Sequence, residues 1–590
     1  MDWIALTGLL AALVATAGAA FLELRGRTRA ALGCLVLAAV CLRVPPAAHL
    51  GLSPWDERYH ALVARNALEH PLVPMLVAEP VVEPAPDDWR HAHVWLHKPP
   101  GMTWLIAASY ALFGANEIAL RVPSVLVSSL GVALVFAIAR RFASQRAALL
   151  AAALAAWHAR SLLLVAGLRA TDHVDVGMTS AVALGALAAL RAGESLGDVR
   201  ARFASRVALV GAATALAYYV KETPALIVPA ILFFALAARG AGWRTRIGAV
   251  AGALGVALLL VLPWQLYTAH AFPELAAFAR ARGSRYFLNV VDHQGGPWYF
   301  HLANLPLDFG WLAPIALAAF ARESLRARPE LRPALWWALA VYGVFTLAAT
   351  KMQSYVLVAA PAVFAALGWF AVDALSPRLR GLALLTVAAN ALLAVLLVEA
   401  PFDAKARDPL WARELRRLGA EVARLPPGKR VIFGVGSPIE CMFYVRATCA
   451  PGEPSTADAD EARARGFAVA VYGESALPGV TSLPIDPDSV AARRLVAALQ
   501  LRGARDALIF NARDAADLRE YVQRSLQHAS ASAELPAPSR GLRRKLDAGA
   551  LLVVLLRPGE PPPDALQRAF PQALFFADAT YARELHSASP

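Results

Sequence analysis

The sequence predicts a polytopic α-helical membrane protein with a soluble α/β domain at its carboxyl end. Of its 590 residues, 58% are hydrophobic and 17% charged, and its mean hydropathy is +0.48. These values place the chain outside the range of soluble globular proteins. Apolar runs long enough to cross a bilayer recur through the first 400 residues, whereas charged residues and prolines return in the last part of the chain.

The apolar runs give the number of membrane crossings. About twelve runs approach the length of roughly 20 residues that a spanning helix needs. They cover residues 3–22, 30–48, 119–139, 147–166, 175–191, 206–220, 224–238, 247–267, 300–320, 333–349, 355–373 and 381–398. We therefore predict about twelve transmembrane helices within a domain of residues 1–400.

The arginine-rich connections between these runs fall on one side of the membrane. They cover residues 25–29, 140–146, 191–206, 239–246, 322–332 and 376–380. Positive connections stay in the cytoplasm, so the long loop 49–118 and everything after residue 400 are expected on the outer side. The formal charge of +13 follows largely from this asymmetry. It indicates topology in a lipid bilayer, and no nucleic-acid partner is predicted.

Residues 401–590 alternate between β-rich runs and helical patterns. The β-rich runs cover 430–436, 468–473, 506–512 and 550–556. The alternation predicts a small α/β domain of the outer compartment, in which we recognise no internal repeat and no catalytic motif. Cys441 and Cys449 lie in this domain, where a disulfide is permitted but not required.

The first outer loop begins with the stretch SPWDERYH at residues 53–60. Ser53, Pro54 and Asp56 have the spacing of a helix start, with Asp56 placed to close a capping box. A helix over 54–69 with one apolar stripe would then lie in the membrane interface. A capping role and a chemical role for Asp56 are both compatible with this pattern.

The second polar stretch of the loop, WLHKPP, covers residues 95–100. Lys98 stands before two prolines and a short apolar segment that fits an interfacial helix better than a span. A lysine at this level is well placed to meet a lipid phosphate. It is equally compatible with a lysine that reaches from a membrane boundary to water.

Eight short motifs in one order carry a family resemblance. They are DERYHALVARN (56–66), WLHKPP (95–100), FGANEIALRVPS (113–124), TDHVDVGMT (171–179), YYVKETPALIVP (218–229), LPWQLY (262–267), HQGGPWYF (293–300) and KMQSYVLVAAP (351–361). The chain resembles bacterial GT-C membrane glycosyltransferases, in the group that contains the lipid A aminoarabinose transferases and the protein O-mannosyltransferases. The resemblance covers about residues 50–375.

The resemblance implies an inverting transfer of a sugar from a polyprenyl-phosphate carrier to a lipid, glycan or protein acceptor. It places residues 1–400 as the transmembrane catalytic domain and 401–590 as an extracytoplasmic domain. The active site would face the periplasmic side of the bacterial cytoplasmic (inner) membrane. Lipid A modification and protein glycosylation both fit, and the resemblance requires no cofactor.

The same resemblance assigns roles in the first outer loop. Asp56 is the principal carboxylate, either as a general base or as the group that orients the acceptor, with Glu57 beside it. Arg58 and Lys98 would hold the lipid phosphate, whose charge grows as the glycosidic bond breaks. Tyr59, in the same motif, is a further expected substrate contact.

The other outer turns supply the remaining candidates. Relatives carry a carboxylate at the start of the helix after RATDHVD, where the spacing fits Asp175 better than Asp172; an aspartate at a helix start also stabilises the helix dipole. Lys221 is either a substrate contact or the partner of the neighbouring Glu222. Tyr355 matches a family tyrosine near the phosphate, and Lys351 lies at the same membrane end.

His97 stands where relatives often carry glutamate, and His293 lies in a second outer loop. Since imidazole suits zinc and related ions, the two histidines are a candidate divalent-metal site that the reaction does not require. A transporter is the main alternative function, although transporters usually place ionisable residues or broken helices near the bilayer midplane. A receptor or scaffold would leave the loop motifs unexplained.

Overall fold

The computed structural model describes the chain in several ranges. They are residues 3–81, 92–291, 294–396, 408–485, 490–504, 506–510, 516–526, 528–532, 534, 539–556 and 559–577. The chain divides into two compact units. The first comprises Met1–Ala48, Trp55–Leu76 and Ala85–Phe402, and the second comprises His49–Pro54, Val77–Pro84 and Asp403–Pro590.

The first unit is helical. Its helices are α1 (Trp3–Leu24), α2 (Thr28–Ala47), α3 (Asp56–Asn66), α4 (Gly101–Phe113), α5 (Glu117–Ala139), α6 (Gln145–Ala156), α7 (Ala159–Val165), α8 (Asp172–Glu194), α9 (Arg200–Val220), α10 (Ile227–Ala238), α11 (Trp243–Ala271), α12 (Pro273–Leu288), α13 (Phe300–Phe309), α14 (Ala313–Arg326), α15 (Arg332–Leu347), α16 (Ala360–Trp369) and α17 (Pro377–Leu396). A 3₁₀ segment, Gln353–Ala359, leads into α16, and a π-helical turn, Phe370–Ala374, follows it.

Eight helical segments among the described residues are long and apolar enough to cross a membrane, and ten if each of two bent pairs counts as one span. The bent pairs are α6–α7, at 45°, and α13–α14, at 105°. The chain is thus a multi-pass membrane protein, as predicted, and by length and composition its described residues supply eight to ten of the roughly twelve expected spans. Of the two other predicted spans, α10 has 12 residues and α15 has 16. Apolar composition does not distinguish a full span from a short helix packed among others.

Two buried cations donate hydrogen bonds to the free carbonyl oxygens at the ends of helices α6 and α15. Arg43 donates from its guanidinium to the carbonyl oxygens of Ala155 (3.1 Å) and Ala156 (2.9 Å), at the end of α6. The Lys351 ammonium donates to carbonyl oxygens at the end of α15, including Thr346 at 2.5 Å. The last carbonyls of a helix have no partner within it, so a buried cation at that point satisfies groups that lipid cannot.

The second unit is α/β. Its helices are α18 (Leu410–Ala423), α19 (Pro438–Tyr444), α20 (Thr456–Ala464), α21 (Val490–Leu501), α22 (Ala516–Ser525), α23 (Arg540–Asp547) and α24 (Asp564–Ala569). Its strands are β1 (Arg430–Phe433), β2 (Thr448–Cys449), β3 (Ala468–Tyr472), β4 (Thr481–Leu483), β5 (Asp506–Phe510), β6 (His528–Ser532), β7 (Ala550–Leu555) and β8 (Leu574–Phe576). A disulfide joins Cys441 and Cys449, which decides the alternative that the sequence left open.

The strands form two parallel sheets of the same topology. Their strand orders are β2-β1-β3-β4 and β6-β5-β7-β8. In each sheet the first strand along the chain (β1 or β5) is an inner strand. The second strand (β2 or β6) pairs with one edge of it, the third (β3 or β7) pairs with its other edge, and the fourth (β4 or β8) lies beyond the third. The two sheets share a strand order but not a sequence pattern, so no internal repeat was recognised in the sequence.

Candidate functional site

Asp56 begins α3, and its carboxylate accepts a hydrogen bond from the Thr171 N–H at 3.2 Å. The expected capping box is absent: the helix starts at Asp56, two residues later than predicted, and no side chain caps it. Burial by itself raises the pKa of the Asp56 carboxyl. The charges of Lys98, His60 and Lys221 and the Thr171 N–H act in the opposite direction, so the net pKa lies below the usual aspartate value. Asp56 is therefore an ionised carboxylate at neutral pH.

Glu57, the next residue, is fully buried. Arg121 of α5 donates to both of its oxygens, at 2.7 and 2.9 Å, and His173 Nε2 lies 3.1 Å from Oε1. Burial opposes ionisation, but the Arg121 charge outweighs it and lowers the pKa of Glu57. A two-point guanidinium pair of this kind holds the carboxylate firmly, so Glu57 ties α3 to α5 and α8.

Asp172 begins α8 and is also fully buried. Its Oδ1 lies 3.0 Å from Nδ1 of His60, one turn after Asp56 in α3. Thr171 and Asp172 both have positive φ, at 70° and 21°, a conformation that costs energy for residues other than glycine. This turn presents the Thr171 N–H to Asp56, and the pair of Asp172 with His60 holds the two helix starts together.

Asp175, one turn further along α8, binds Lys221. The Lys221 ammonium lies 2.6 Å from Asp175 Oδ1, and the Thr171 hydroxyl donates to the other oxygen of the same carboxylate. Thr171 Oγ1 also lies 2.9 Å from Ser354 Oγ, while the Lys221 ammonium stands 4.7 Å above the Tyr355 ring. Three turns that the sequence predicts on the outer side therefore meet at one place.

Lys98 differs from the other cations of the site. Its side chain is half-buried, and within the part of the chain that the structure describes its ammonium forms no hydrogen bond or ion pair. Its charge nevertheless lowers the pKa of Asp56. Trp104 of α4 packs on Tyr219 and Trp264, with ring centroids 6.0 and 5.5 Å apart, an aromatic row typical of a membrane interface. Lys98, just before α4, is thus placed near the headgroup level.

Arg58 and Tyr59 form a local pair in α3. The Arg58 guanidinium stands 4.9 Å from the centre of the Tyr59 ring and donates to its hydroxyl at 3.2 Å. Tyr59 stacks on Trp95, with ring centroids 6.5 Å apart. The two polar stretches of the first loop, DERYH and WLHKPP, therefore pack against each other.

Lys351 lies apart from this arrangement. It is 5% exposed, and its ammonium donates to the carbonyl oxygens of Phe345, Thr346 and Ala348 at 3.2, 2.5 and 2.5 Å. All three carbonyls belong to the end of α15 or directly follow it. The Lys351 ammonium thus binds backbone carbonyl oxygens. The sequence had predicted it, together with Tyr355, as a substrate contact.

The candidate metal ligands are not brought together by anything the structure describes. His97 is half-buried, with its ring 5.5 Å from that of Trp95. His293 lies outside the described residues. Across the described ranges, no group of three or more His, Cys, Asp or Glu side chains is placed to hold a metal ion.

Sequence reasoning missed the residues that position the carboxylates. They are His60, Arg121, Thr171, His173 and Ser354, and each belongs to one of the motifs singled out from the sequence. A charged Arg121 near the start of an apolar span was the available signal, because a cation there needs a partner.

Comparisons with known proteins agree with the predicted resemblance. Residues 97–267 match the family model described as dolichyl-phosphate-mannose-protein mannosyltransferase. An undecaprenyl phosphate-alpha-4-amino-4-deoxy-L-arabinose arabinosyl transferase of Pseudomonas paraeruginosa is 30% identical over 279 residues, 46% of this chain and 49% of the relative. A protein of the same description from Sodalis glossinidius is 30% identical over 286 residues, with the same coverage. The chain thus spans about half the length of the curated relatives it matches.

Two solved structures share the fold. ArnT of Cupriavidus metallidurans, bound to undecaprenyl phosphate, superimposes with a TM-score of 0.54 at 18% identity, over 73% of this chain and 87% of that one. The Archaeoglobus fulgidus oligosaccharyltransferase gives a TM-score of 0.51 at 17% identity, over 71% and 64% of the two chains. The GT-C fold predicted from the motifs is confirmed.

Proposed function

We propose that this chain, which has the fold of GT-C membrane glycosyltransferases, is an inverting glycosyltransferase. It moves a hexosyl or pentosyl group from a polyprenyl-phosphate carrier to a lipid, glycan or protein acceptor, as in lipid A modification or protein glycosylation. The observation that carries the proposal is the Asp56 carboxylate, ionised and half-buried, held at the meeting point of three outer turns beside the charges of Lys98 and Lys221.

The reaction needs a base for the acceptor and cations for the leaving group. In our proposal Asp56 takes the proton of the acceptor hydroxyl as its oxygen bonds to the anomeric carbon. The bond between that carbon and the phosphate oxygen breaks at the same time, and polyprenyl phosphate leaves with the electron pair. Lys98 and Arg58 bind this phosphate and offset the negative charge that develops on it.

The cations also regulate the base. Lys98 and Lys221 hold the pKa of Asp56 below its usual value in the free protein. A bound phosphate neutralises part of this positive charge, and removal of a nearby positive charge raises the pKa of a carboxylate. Asp56 therefore becomes a stronger base once the donor is in place, which couples proton removal to occupancy of the donor site.

The remaining carboxylates have positioning roles in this proposal. Asp175 holds Lys221 over the Tyr355 ring, so that the lysine and the tyrosine face the donor together. Glu57 and Asp172 fix the starts of α3 and α8 through Arg121 and His60. Buried polar contacts of this kind keep a catalytic group in its productive geometry.

The comparisons support the class of donor. The curated relatives are named for undecaprenyl phosphate-linked aminoarabinose, and the ArnT structure contains undecaprenyl phosphate. The proposed step uses side chains of this chain alone and requires no metal. His97 with His293 stays a candidate site for a divalent ion.

The proposed location is the bacterial cytoplasmic membrane, with the site and residues 401–590 on the periplasmic side. All arginine-rich connections fall on the opposite side of the predicted topology, which supports this orientation. Single cysteines introduced near Asp56 and after residue 408, in a background without Cys34 and Cys41, are labelled from outside intact inner membranes in our proposal. Labelling that requires inner-membrane permeabilisation would refute it.

The direct test is mass spectrometry of envelope glycolipids and glycoproteins from cells with and without the chain. We expect a sugar-sized mass difference on one class of acceptor that disappears with the Asp56→Asn variant. A transporter is the second candidate, because an ion pair between Arg160 and Asp308 lies between the two bent helix pairs. A transporter would move its substrate without consuming the sugar donor, so unchanged donor in a purified transfer assay would favour it.

A further inference from the structure

The second unit contains both ends of the chain segment that carries Asp56. Residues 49–54 and 77–84 of the first outer loop belong to that unit, whereas Trp55–Leu76, between them, belong to the first unit. We call residues 49–54 the leading segment, which ends two residues before Asp56, and residues 77–81 the trailing segment. Contacts that fix these two segments therefore also restrain α3, because the chain is continuous through all three.

Arginines of the second unit hold the backbone of the leading segment. The Arg524 guanidinium of α22 donates to the carbonyl oxygen of Leu52, which lies four residues before Asp56. Arg416 of α18 donates to the carbonyl oxygen of Leu50 at 2.7 Å. Hydrogen bonds from a charged donor are stronger than those between neutral groups. The leading segment is therefore held firmly, although it lies in no helix or strand.

Arg524 is itself held in place. Its guanidinium lies 2.5 Å from Glu440 Oε1 and 3.3 Å from the centre of the Trp411 ring. The Arg524 and Glu440 side chains are 1% and 0% exposed, and a planar guanidinium is well suited to bond a carboxylate while it stacks on an aromatic face. Trp411 also packs close to the leading segment, because a Cβ on Gly51 would lie 3.0 Å from its ring. The donor to Leu52 is thus fixed by both charge and packing.

The chain that leaves α3 is restrained as well. The Thr448 hydroxyl of β2 donates to the carbonyl oxygen of Glu79, in the trailing segment, at 2.6 Å. Asn66, the last residue of α3, donates to the carbonyl oxygens of Met75 and Leu76 at 3.0 Å each. Since these two residues lead directly into the trailing segment, α3 is restrained at its end as well as at its start.

We propose that the second unit positions the Asp56 carboxylate for transfer, with Arg524 as the positioning residue through its bond to the Leu52 carbonyl. No side chain caps α3, and the partner of Asp56 is the Thr171 N–H of a distant turn, so the start of the helix depends on the chain before it. A shift of about 1 Å at a reacting group costs about a hundredfold in rate. The inference rests on the proposed function and adds that residues 401–590 support the same step.

The test compares two arginine–glutamate pairs of the second unit, each with its arginine stacked on an aromatic ring. Arg524→Met with Glu440→Leu removes the bond to the leading segment and replaces a buried pair by apolar side chains, a change that proteins often tolerate. Arg493→Met with Glu414→Leu is the matched control. Arg493 lies 2.6 Å from Glu414 and 4.1 Å above the Tyr472 ring, and within the described residues it forms no hydrogen bond with the leading or trailing segment.

Two measurements on the full-length chain separate positioning from general damage. The first is the rate at which the sugar-bearing acceptor appears, by mass spectrometry, in cells that lack the native chain and express equal amounts of each variant. The second is binding of undecaprenyl phosphate to the purified protein in nanodiscs. We expect the Arg524 pair variant to form product about a hundredfold more slowly with unchanged carrier binding, because Lys98 lies outside both segments. The control pair variant should match the wild type in both.

The outcomes distinguish this inference from the proposed function. Product formation at the control level in the Arg524 pair variant, together with an inactive Asp56→Asn variant, would overturn the inference alone. A parallel loss of carrier binding would also overturn it, because positioning of the base does not require the carrier. An active Asp56→Asn variant, or a wild type that forms no product, would refute the proposed function itself.

Gly51→Ala tests the same restraint with the Arg524 pair intact. A Cβ on Gly51 would lie 2.8 Å from Pro409 Cγ, a ring atom at the start of α18, so the leading segment must move. Gly436→Ala is the control, because its Cβ meets only Ser525 Oγ, at 3.5 Å, and neither glycine has a left-handed backbone. We expect slower product formation with unchanged carrier binding in Gly51→Ala alone. Wild-type product formation in this variant would contradict the inference even if the Arg524 pair variant did not fold.

Discussion

Lys221 Nζ lies 2.6 Å from Asp175 Oδ1 and is fixed above the Tyr355 ring, yet its charge also lowers the pKa of Asp56. One lysine thus joins the start of α8, the end of α9 and the 3₁₀ segment before α16. Lys98 acts on the same carboxylate from the first outer loop without an ion pair of its own in the described ranges. The two lysines differ in their contacts, since Lys221 is held by Asp175, and Lys98 is the one that we propose binds the donor phosphate.

Lys98→Ala should weaken polyprenyl-phosphate binding roughly tenfold to a hundredfold, the value of a charge-assisted contact of about 1.5–3 kcal/mol. Folding should be almost unaffected, since within the described residues no hydrogen bond or ion pair is lost. Binding of the carrier lipid in nanodiscs measures the effect. Lys545→Ala, an exposed lysine of the second unit, is the control. Wild-type affinity in the Lys98 variant would mean that this lysine only reaches from the interface to water.

The pH dependence of kcat/KM should report the same lysines. In the proposed reaction Asp56 acts as an ionised carboxylate, so we expect activity to be lost as the pH falls through the pKa of Asp56 in the free enzyme. Lys98 and Lys221 lower that pKa, and Lys98→Met or Lys221→Met should therefore raise it and move the acid limb to higher pH. The Lys545→Met profile should coincide with that of the wild type. An acid limb that stays in place in both site variants would exclude Asp56 as the titrating group.

Asp56→Asn should abolish transfer while the protein stays folded and binds carrier lipid. Asparagine preserves the shape of the side chain at a helix start, so the structural cost is a few tenths to about 1 kcal/mol. Loss of a general base lowers the rate about a hundredfold to ten-thousandfold. Turnover of the lipid-linked sugar donor by the purified variant distinguishes a catalytic from a structural role of Asp56. If more than about a tenth of the wild-type rate remains, the base lies elsewhere, and Asp175 is the next candidate.

Glu57→Gln, in contrast to Asp56→Asn, should cause a large loss of folding stability. It leaves the buried Arg121 charge uncompensated, which costs about 3–5 kcal/mol in comparable pairs. The double variant Glu57→Leu with Arg121→Met removes both charges and should recover most of that loss. Unfolding of the purified protein in detergent, with Asp56→Asn as the neighbouring control, measures it. A Glu57→Gln variant as stable as Asp56→Asn would show that the pair contributes little.

The sequence was sufficient for the fold class and for the outer turns that meet at the site. Charges in an apolar chain are conspicuous, and the motifs around Asp56, Asp175 and Lys221 pointed to the turns that the structure brings together. Their hydrogen-bond partners were not predictable, because Asp56 and Glu57 look alike in sequence, and only the fold places Arg121 against Glu57 and the Thr171 N–H against Asp56. Sequence reasoning also missed the Arg160–Asp308 pair, since each residue is a single charge near a helix break.

The number of membrane-spanning helices was likewise only partly predictable from local sequence. A run such as 224–238 has the apolar composition of a span, but the structure makes it a 3₁₀ turn followed by the 12-residue helix α10. The expected cap at Ser53 failed for a related reason, because the Asp56 carboxylate bonds Thr171 of a distant turn in place of its own helix. Local patterns predict local partners, and a tertiary contact overrides them.

Gly167 offers a test of how the Glu57 contact supports the site. It has φ +72°, and a Cβ at this position would lie 2.1 Å from Glu57 Oε1 and 2.3 Å from Cδ. Gly197→Ala is a matched control, because Gly197 also has positive φ, +97°, and a Cβ there meets nothing within 4 Å. Both alanine variants place a side chain on a left-handed backbone, which costs about 1–2 kcal/mol. Only Gly167→Ala must also displace the Glu57 carboxylate.

We therefore expect Gly167→Ala to destabilise the protein more than Gly197→Ala does, and to lower the transfer rate as well. Displacement of Glu57 shifts the start of α3, where Asp56 lies, and a shift of about 1 Å at a reacting group costs about a hundredfold in rate. Unfolding in detergent and turnover on the lipid-linked donor, measured on both variants, separate the contributions. Equal stability and equal turnover of the two variants would mean that the contact between Gly167 and Glu57 does not hold Asp56 in place.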